Sequence, residues 1–268
     1  MNEIVRRLYP EPAQDVELDA AYAWPDPSPG RGVHVRVNFV SSLDGAVDLH
    51  GSARPLSSPV DNLVFSTLRG LCDVILVGAG TVRRASYGPA RPSANRRSWR
   101  CEHGLAPVPP FAVVSSSMAL DLSASFFAEA VSRPLVLTTE AAPMELRSAA
   151  AGLAEVIVAG DTRVEAHRAL TALAGRGLTH VLCEGGPTLA GLLAGADAVD
   201  ELCLSLSALL VGPADSRLLA PAPGVGSWPV PLELEQVLSA ESMLFLRYSR
   251  LRAGQGPPVA LGRLTSEP

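Results

Sequence analysis

Short runs rich in valine, isoleucine and leucine recur along the chain, bounded by glycine, proline, serine or aspartate, with helix-spaced apolar positions between them. The runs near 33–40, 73–78, 111–115, 134–138, 155–159 and 179–183 predict strands, and later strands are expected near 200–209 and 241–250. Helical spacing predicts helices near 59–71, 141–151, 163–175 and 187–194. Strand and helix alternate, which predicts an α/β fold: a mostly parallel sheet flanked by helices, with antiparallel C-terminal strands. No Pro/Gly-rich linker divides the chain into halves of different pattern, so one domain is expected over 33–252. Residues 1–32 are proline-rich and acidic and read as an N-terminal arm. The stretch 91–110, mixing arginines with prolines, reads as a long exposed loop, and 253–268 as a loose tail.

One strand-to-helix junction carries more chemistry than the others. Val181-Leu182-Cys183 reads as a buried strand that ends on Glu184, and Gly185-Gly186 then permits a turn in which backbone approaches a ligand without interference from a Cβ. Pro187 suits the first turn of the helix that follows, and Leu189, Leu192 and Leu193 give it an apolar face. The free N–H groups of such a helix start favour an anion. A second junction repeats the idea: Asp73 to Val77 reads as a buried strand, followed by Gly78, Gly80 and Thr81. In an open parallel sheet ligands sit at the carboxyl ends of the strands, so two such turns are suited to grip one extended ligand. Arg83 stands where a Rossmann fingerprint would place its third glycine, which argues against a standard Rossmann domain.

Further motifs occur in a fixed order. Val37-Asn38-Phe39-Val40-Ser41-Ser42-Leu43-Asp44-Gly45 precedes Leu56-Ser57-Ser58-Pro59-Val60-Asp61, then Leu68-Arg69, Asp73 to Arg83, Tyr87-Gly88-Pro89 with Arg91, Glu184 to Leu189, and Asp200-Glu201-Leu202. From about Val35 to about Arg250 the chain resembles the reductase domain family of riboflavin biosynthesis, the C-terminal part of the bacterial deaminase–reductase. The Tyr-Gly-Pro stretch and Asn38 are most similar to its stand-alone pyrimidine reductase branch. The resemblance implies a dihydrofolate-reductase-like fold and NADPH-dependent reduction of a ribosylamino-pyrimidine. It implies a cofactor bed of Gly78, Gly80, Thr81, Gly185, Gly186, Pro187, Thr188 and Leu189, with Ser41 and Ser115, and a substrate side of Asp61, Arg69, Arg91 and Glu184. Two positions depart from the family pattern: many members carry a lysine where this chain has Asn38, and acidic residues where it has Arg84-Ala85.

Composition narrows the field. With 268 residues and 47% hydrophobic content the chain can bury a sizeable core. A net charge of −5 without a long basic stripe argues against nucleic acid as a partner. No apolar stretch reaches membrane-spanning length, and the N-terminus lacks the order of a signal peptide, so a cytoplasmic protein is expected. Cys72, Cys183 and Cys203 lie in apolar contexts and read as reduced core residues; Cys101 and His103 are too few to hold a metal. All 22 basic residues are arginine, which excludes Schiff-base lysine chemistry and a Walker A lysine.

Each candidate residue has two readings. Asp44-Gly45 is either a plain turn or a group beside the nicotinamide, with Asp44 a candidate proton donor together with bound water. Asp61 caps a helix start or binds a pyrimidine edge. Arg69 complements a helix dipole or, as the resemblance implies, holds a substrate phosphate; Arg91 is a solvated loop arginine or a second phosphate ligand. Glu184, a carboxylate at the end of a buried strand, must be paired, either by pyrimidine N–H groups or by a structural arginine. Arg83-Arg84 or Ser115-Ser116-Ser117 would bind a 2′-phosphate, favouring NADPH over NADH. The alternating segment Asp200 to Leu210 suits a sheet with one face free for a partner, so a homodimer is expected. Two alternatives stay open: a pterin or dihydrofolate reductase, and a nucleotide-binding protein with little turnover.

Overall fold

The computed structural model describes residues 4–25, 32–84, 87–213, 217–221 and 228–251. Ten strands form one sheet: β1 (Arg6–Tyr9), β2 (His34–Ser42), β3 (Val74–Gly78), β4 (Phe111–Val114), β5 (Leu135–Thr138), β6 (Glu155–Val158), β7 (His180–Cys183), β8 (Glu201–Ser207), β9 (Leu232–Ala240) and β10 (Met243–Arg250), in the spatial order β1-β9-β10-β8-β2-β7-β3-β4-β5-β6. From β8 to β6 all neighbours are parallel, whereas β10, β9 and β1 are added antiparallel. The predicted α/β architecture therefore holds, with one refinement. The segment expected near 200–209 is β8, which runs parallel to β2, and the antiparallel part begins only at β10.

Among the described residues eight α-helices cover the sheet: α1 (Leu18–Ala21), α2 (Pro59–Leu71), α3 (Ala79–Arg84), α4 (Ala94–Glu102), α5 (Ser125–Ala128), α6 (Met144–Ala151), α7 (Ala166–Ala174) and α8 (Pro187–Gly195). Two apolar clusters, one on each face, hold the layers together. Val60, Val64 and Leu68 of α2 join Ile75, Val77 and Leu182 on one side; Leu170 and Leu173 of α7 join Val74, Leu76 and Val181 on the other. Helix α2 starts where its sequence says it should. Ser58 accepts from the Asp61 N–H, and Pro59 occupies the first helical position, where no N–H is needed.

Two stretches fold against expectation. The proline-rich opening is no detached arm: β1 pairs with β9, and Val5, Leu18 and Tyr22 are core residues. It is held by a buried ionic group. Glu201 accepts from Arg36 at 2.5 Å and from Arg247 at 3.0 Å, and Arg36 stacks on Trp24 at 4.0 Å and donates to the Tyr22 carbonyl. Burial pushes the Glu201 carboxyl up, but those guanidiniums and His34 outweigh it and hold the group at about 2. The arginine-rich stretch 91–110 is likewise not simply a loop. Ser93 caps α4 through the Arg96 N–H, and Arg100, fully buried, donates to the Gly70 and Cys72 carbonyls at the C-terminal end of α2. A cation placed on a helix C-terminus needs no carboxylate there. The stretch 253–268 lies outside the described residues.

No described helix is long and apolar enough to cross a membrane. Burial pushes the thiols of Cys72, Cys183 and Cys203 up to about 12, so all three stay protonated and unreactive.

Candidate active site

The chain passes from β2 through α2 to β3 and returns much later to lay β7 between them. Connections leave the sheet in opposite directions at such a point, opening a crevice at the carboxyl ends of the strands. A cavity of about 410 Å³ occupies it. Its walls come from the end of β2 (Asn38, Phe39), the segment between Val47 and Ser57, the inner face of α2 (Asp61, Phe65, Arg69) and the two glycine turns.

The turns after β3 and β7 are locked together. Gly78 N–H donates to the Gly185 carbonyl at 2.9 Å, and Gly186 N–H donates to Thr81 Oγ1 at 2.8 Å. Glycine is required at both positions of the second turn. Gly185 sits at φ +79°, and a Cβ there would stand 2.7 Å from Phe39 Cζ; a Cβ on Gly186 would stand 2.6 Å from Thr81 Oγ1.

Glu184, just before this turn, is 7% exposed and fully engaged. Arg69 grips it with two parallel bonds, Nε to Oε1 at 2.5 Å and Nη2 to Oε2 at 2.6 Å, and the Tyr87 hydroxyl donates to Oε2 at 2.9 Å. The guanidinium also lies 4.3 Å over the Phe65 ring. Burial works against the Arg69 charge, but the carboxylate outweighs it and raises its pKa. Burial first, and then the Glu184 charge, hold the Tyr87 phenol well above its ordinary value, so it remains a hydroxyl donor. Of the two readings of Glu184, the arginine-paired one is what the fold contains. The paired carboxylate still borders the cavity, with Arg69 and Tyr87 beside it. Asp61 accepts from Ser57 Oγ at 2.5 Å and lines the same wall, so the Ser58 cap and the wall position coexist on one turn.

Of the residues singled out from sequence, Asp61, Arg69, Thr81, Glu184, Gly186 and Pro187 line the cavity together. Gly78 and Gly185 shape its floor through their shared hydrogen bond. Gly80 lies beneath the Arg84 guanidinium in the first turn, Leu189 is buried in the core, and Thr188 is exposed on α8 outside the cavity. Ser41 is buried, its hydroxyl donating to the Ser42 carbonyl. Ser115 is buried too, its carbonyl accepting from the Thr138 hydroxyl, and the exposed Ser116 hydroxyl accepts from Val164 N–H; none of the three serines lines the cavity. Arg91 pairs with Glu129 on the open surface, 2.7 Å apart.

Asp44 is the clearest departure from expectation. It is exposed, outside the cavity, and accepts from Ser42 Oγ and from the N–H groups of Val211 and Gly212. The Ser42 hydroxyl first, and then those amides, lower its pKa to about 2. A group so held is a carboxylate at neutral pH, and its bonds to Val211 and Gly212 pin that loop.

The sequence reading passed over Asp48, Arg54, Asn62 and Phe65, and gave Tyr87 no role beyond a motif. For Phe65 the signal was present: Asp61, Phe65 and Arg69 are spaced by four and share one face of α2. Nothing in the local pattern marks Asp48 or Arg54.

Comparison with known proteins supplies relatives for this arrangement. The sequence profile of the family described as RibD C-terminal domain matches residues 33–243. A protein of Archaeoglobus fulgidus named 2,5-diamino-6-ribosylamino-4(3H)-pyrimidinone 5′-phosphate reductase is 33% identical over 68% of this chain and 84% of its own length. One of Methanothermobacter thermautotrophicus with the same name is 28% identical over 81% of this chain and 97% of its own. Among solved structures, a pyrimidine reductase-like protein from Corynebacterium diphtheriae superposes with a TM-score of 0.75 at 26% identity, covering 88% of this chain and all of that one.

Proposed function

Because the chain belongs to the RibD C-terminal domain family, we propose that it is a cytoplasmic NADPH-dependent reductase of a ribosylamino-pyrimidine 5′-phosphate, of the kind named for its archaeal relatives. The observation that carries the reading is the cavity at the ends of β2, β3 and β7. One of its walls is a pair of interlocked glycine turns that backbone-close ligands can approach, and the facing wall is a cluster of hydroxyl, amide, carboxylate and guanidinium groups. The residues fit a dinucleotide: the two glycine turns add no side chain to this wall but the Thr81 hydroxyl, and Arg84 stands beside them. Bound there, the cofactor supplies a hydride to C1′ of the opened ribose. The chain's own part is to orient and to exclude water, which is where most of a hydride-transfer enzyme's contribution lies. Phe39 and Phe65 give the cavity its apolar surface, and Asp61 offers an acceptor to the ring N–H groups of a pyrimidine.

The substrate phosphate falls to Arg54. Arg69 is spent on Glu184 and Arg91 on Glu129, whereas Arg54 lines the cavity and its guanidinium has no carboxylate partner among the described residues. Turnover of the ribosylamino-pyrimidine phosphate and of dihydrofolate, measured side by side with NADPH and NADH, tests the reading. Reduction of the pyrimidine with a preference for NADPH is expected. Reduction of dihydrofolate alone would make the protein a pterin reductase, and binding without turnover a nucleotide-binding protein. Arg54→Ala is expected to raise KM for the phosphorylated pyrimidine about tenfold or more and to leave KM for its dephosphorylated form unchanged.

The reading includes a homodimer. On the sheet face away from Cys203, Phe245 and Leu238, the residues Leu204, Leu246 and Val237 stand in one row, and Leu206 and Leu244 in the next, all half-buried. A row of leucines on an antiparallel sheet face suits a self-complementary interface. Light scattering at micromolar concentration should give a dimer mass for the parent chain and a monomer mass for Leu246→Glu; a monomeric parent would remove this part of the proposal.

A further inference from the structure

Arg84 closes α3 and turns its guanidinium over both glycine turns at once. Its Nη2 and Nη1 lie 3.8 and 3.9 Å from where a Gly80 side chain would begin, and Nη2 lies 3.8 Å from where a Gly186 side chain would begin. The guanidinium therefore stands in van der Waals range of both glycines, with Thr81 Oγ1 filling the place of a Gly186 side chain, at the edge of the cavity it lines. Every other arginine near this wall is committed. Arg69 pairs with Glu184, and Arg83 donates to the Ala119 carbonyl at 2.7 Å. Arg84 has no carboxylate or carbonyl partner among the described residues.

An arginine in the open usually costs nothing and does nothing. This one stands beside two glycines at the cavity edge, where the neighbouring side chain on the turns is the Thr81 hydroxyl. Backbone N–H groups are neutral donors, whereas a guanidinium adds a full charge and a planar fork that matches two phosphate oxygens. The cavity's other uncommitted cation, Arg54, stands on the far side of the sequence pattern, before α2.

We propose that Arg84 is a cofactor-binding residue that clamps the diphosphate of the dinucleotide across the two glycine turns. This rests on the proposed function, since it requires that a dinucleotide lie there. It separates Arg84 from its neighbour Arg83 and from the serines after β4, and it assigns the contact to the diphosphate shared by NADPH and NADH, not to the 2′-phosphate that distinguishes them.

Titration of NADPH and of NADH against the parent chain, Arg84→Ala and Arg84→Lys decides the matter. Arg84→Ala should weaken both coenzymes by about 10- to 100-fold, with Arg84→Lys recovering part of the loss, because lysine restores the charge without the fork. The dependence of affinity on salt should be shallower in Arg84→Ala, and its Tm should equal that of the parent, since the side chain is exposed. Unchanged affinity would overturn the proposal, as would weakening of NADPH alone, which places the arginine on the 2′-phosphate. A parent chain that binds neither coenzyme would overturn the proposed function along with it, an outcome recognisable before any variant is made.

Discussion

Replacement of Arg69 by methionine is expected to lower folding stability by about 3–5 kcal/mol, because it strands a carboxylate in the interior. The Glu184 side chain is 1% exposed and that of Arg69 23% exposed, and two of the three hydrogen bonds to the carboxylate come from this guanidinium. Tyr87 alone cannot replace a charge-assisted pair. The double variant Arg69→Met, Glu184→Gln should recover most of the stability, since it removes the uncompensated charge and keeps the shape. The glutamine amide can still accept from Tyr87. Urea denaturation of the parent, Arg69→Met and the double variant measures this, and an Arg69→Met protein as stable as the parent would show the pair to be idle. Activity then separates scaffold from site. A pair that only braces α2 against β7 predicts that the double variant regains kcat/KM along with stability. A pair that also meets the substrate predicts stability regained with kcat/KM still depressed by at least about tenfold.

Gly185→Ala should cost about 2–4 kcal/mol and distort the cavity as well. Two effects add. The residue sits at φ +79°, which an L side chain adopts only at a penalty, and the new methyl would lie 2.7 Å from Phe39 Cζ and 3.1 Å from Cε1. Phe39 lines the cavity, so relief of the clash displaces a wall of the site, and cofactor affinity should fall with stability. Phe39→Leu in the same chain should return the steric share of the loss and leave the backbone share. If the double variant is no more stable than Gly185→Ala alone, the ring is not what the glycine accommodates. Thermal melts of the parent and the two variants, with NADPH titration on each, provide the numbers.

Much of this could be read from the chain. The strands that form the parallel part are continuous apolar runs because both their faces are covered, and that signature is unambiguous in Val74–Val77 and Val181–Cys183. The two glycine turns and the capped start of α2 are local devices, and local devices leave local marks. What was hidden depends on distance along the chain. Arg69 and Glu184 are 115 residues apart and meet only because β7 inserts beside β3. No spacing rule anticipates that, so a paired glutamate and a ligand-facing one look alike in sequence. Asp44 misled for the same reason: its partners, Val211 and Gly212, lie 167 and 168 residues away. Around Arg96 and Arg100 the density of charge disguised a helix, because one of those arginines is buried on a helix end instead of facing water. Strand β9 alternates only over Leu232–Glu235 and then breaks at Gln236-Val237-Leu238, just after its register to β10 shifts, and it follows a proline- and glycine-rich run that reads as loop.

The hydrogen bonds that tie Gly78 to Gly185 and Thr81 to Gly186 give the crevice an anvil and a jaw. The anvil, cross-linked to itself and seated on two central strands, has no independent motion to lose. The jaw, from Val47 to Ser57, is fastened at its two ends, where Val47 and Leu56 are buried and Ser57 Oγ donates to Asp61, while its middle carries the Leu49–Ser52 bridge and an exposed bond from Gly51 to Asp48. The entropy surrendered on ligation is therefore drawn mainly from the exposed middle of the jaw. A molecule resting on the anvil finds its bed already made, while one held by the jaw must order the protein as it arrives. Affinity for the first is set by contacts alone, and affinity for the second by contacts less the cost of that ordering.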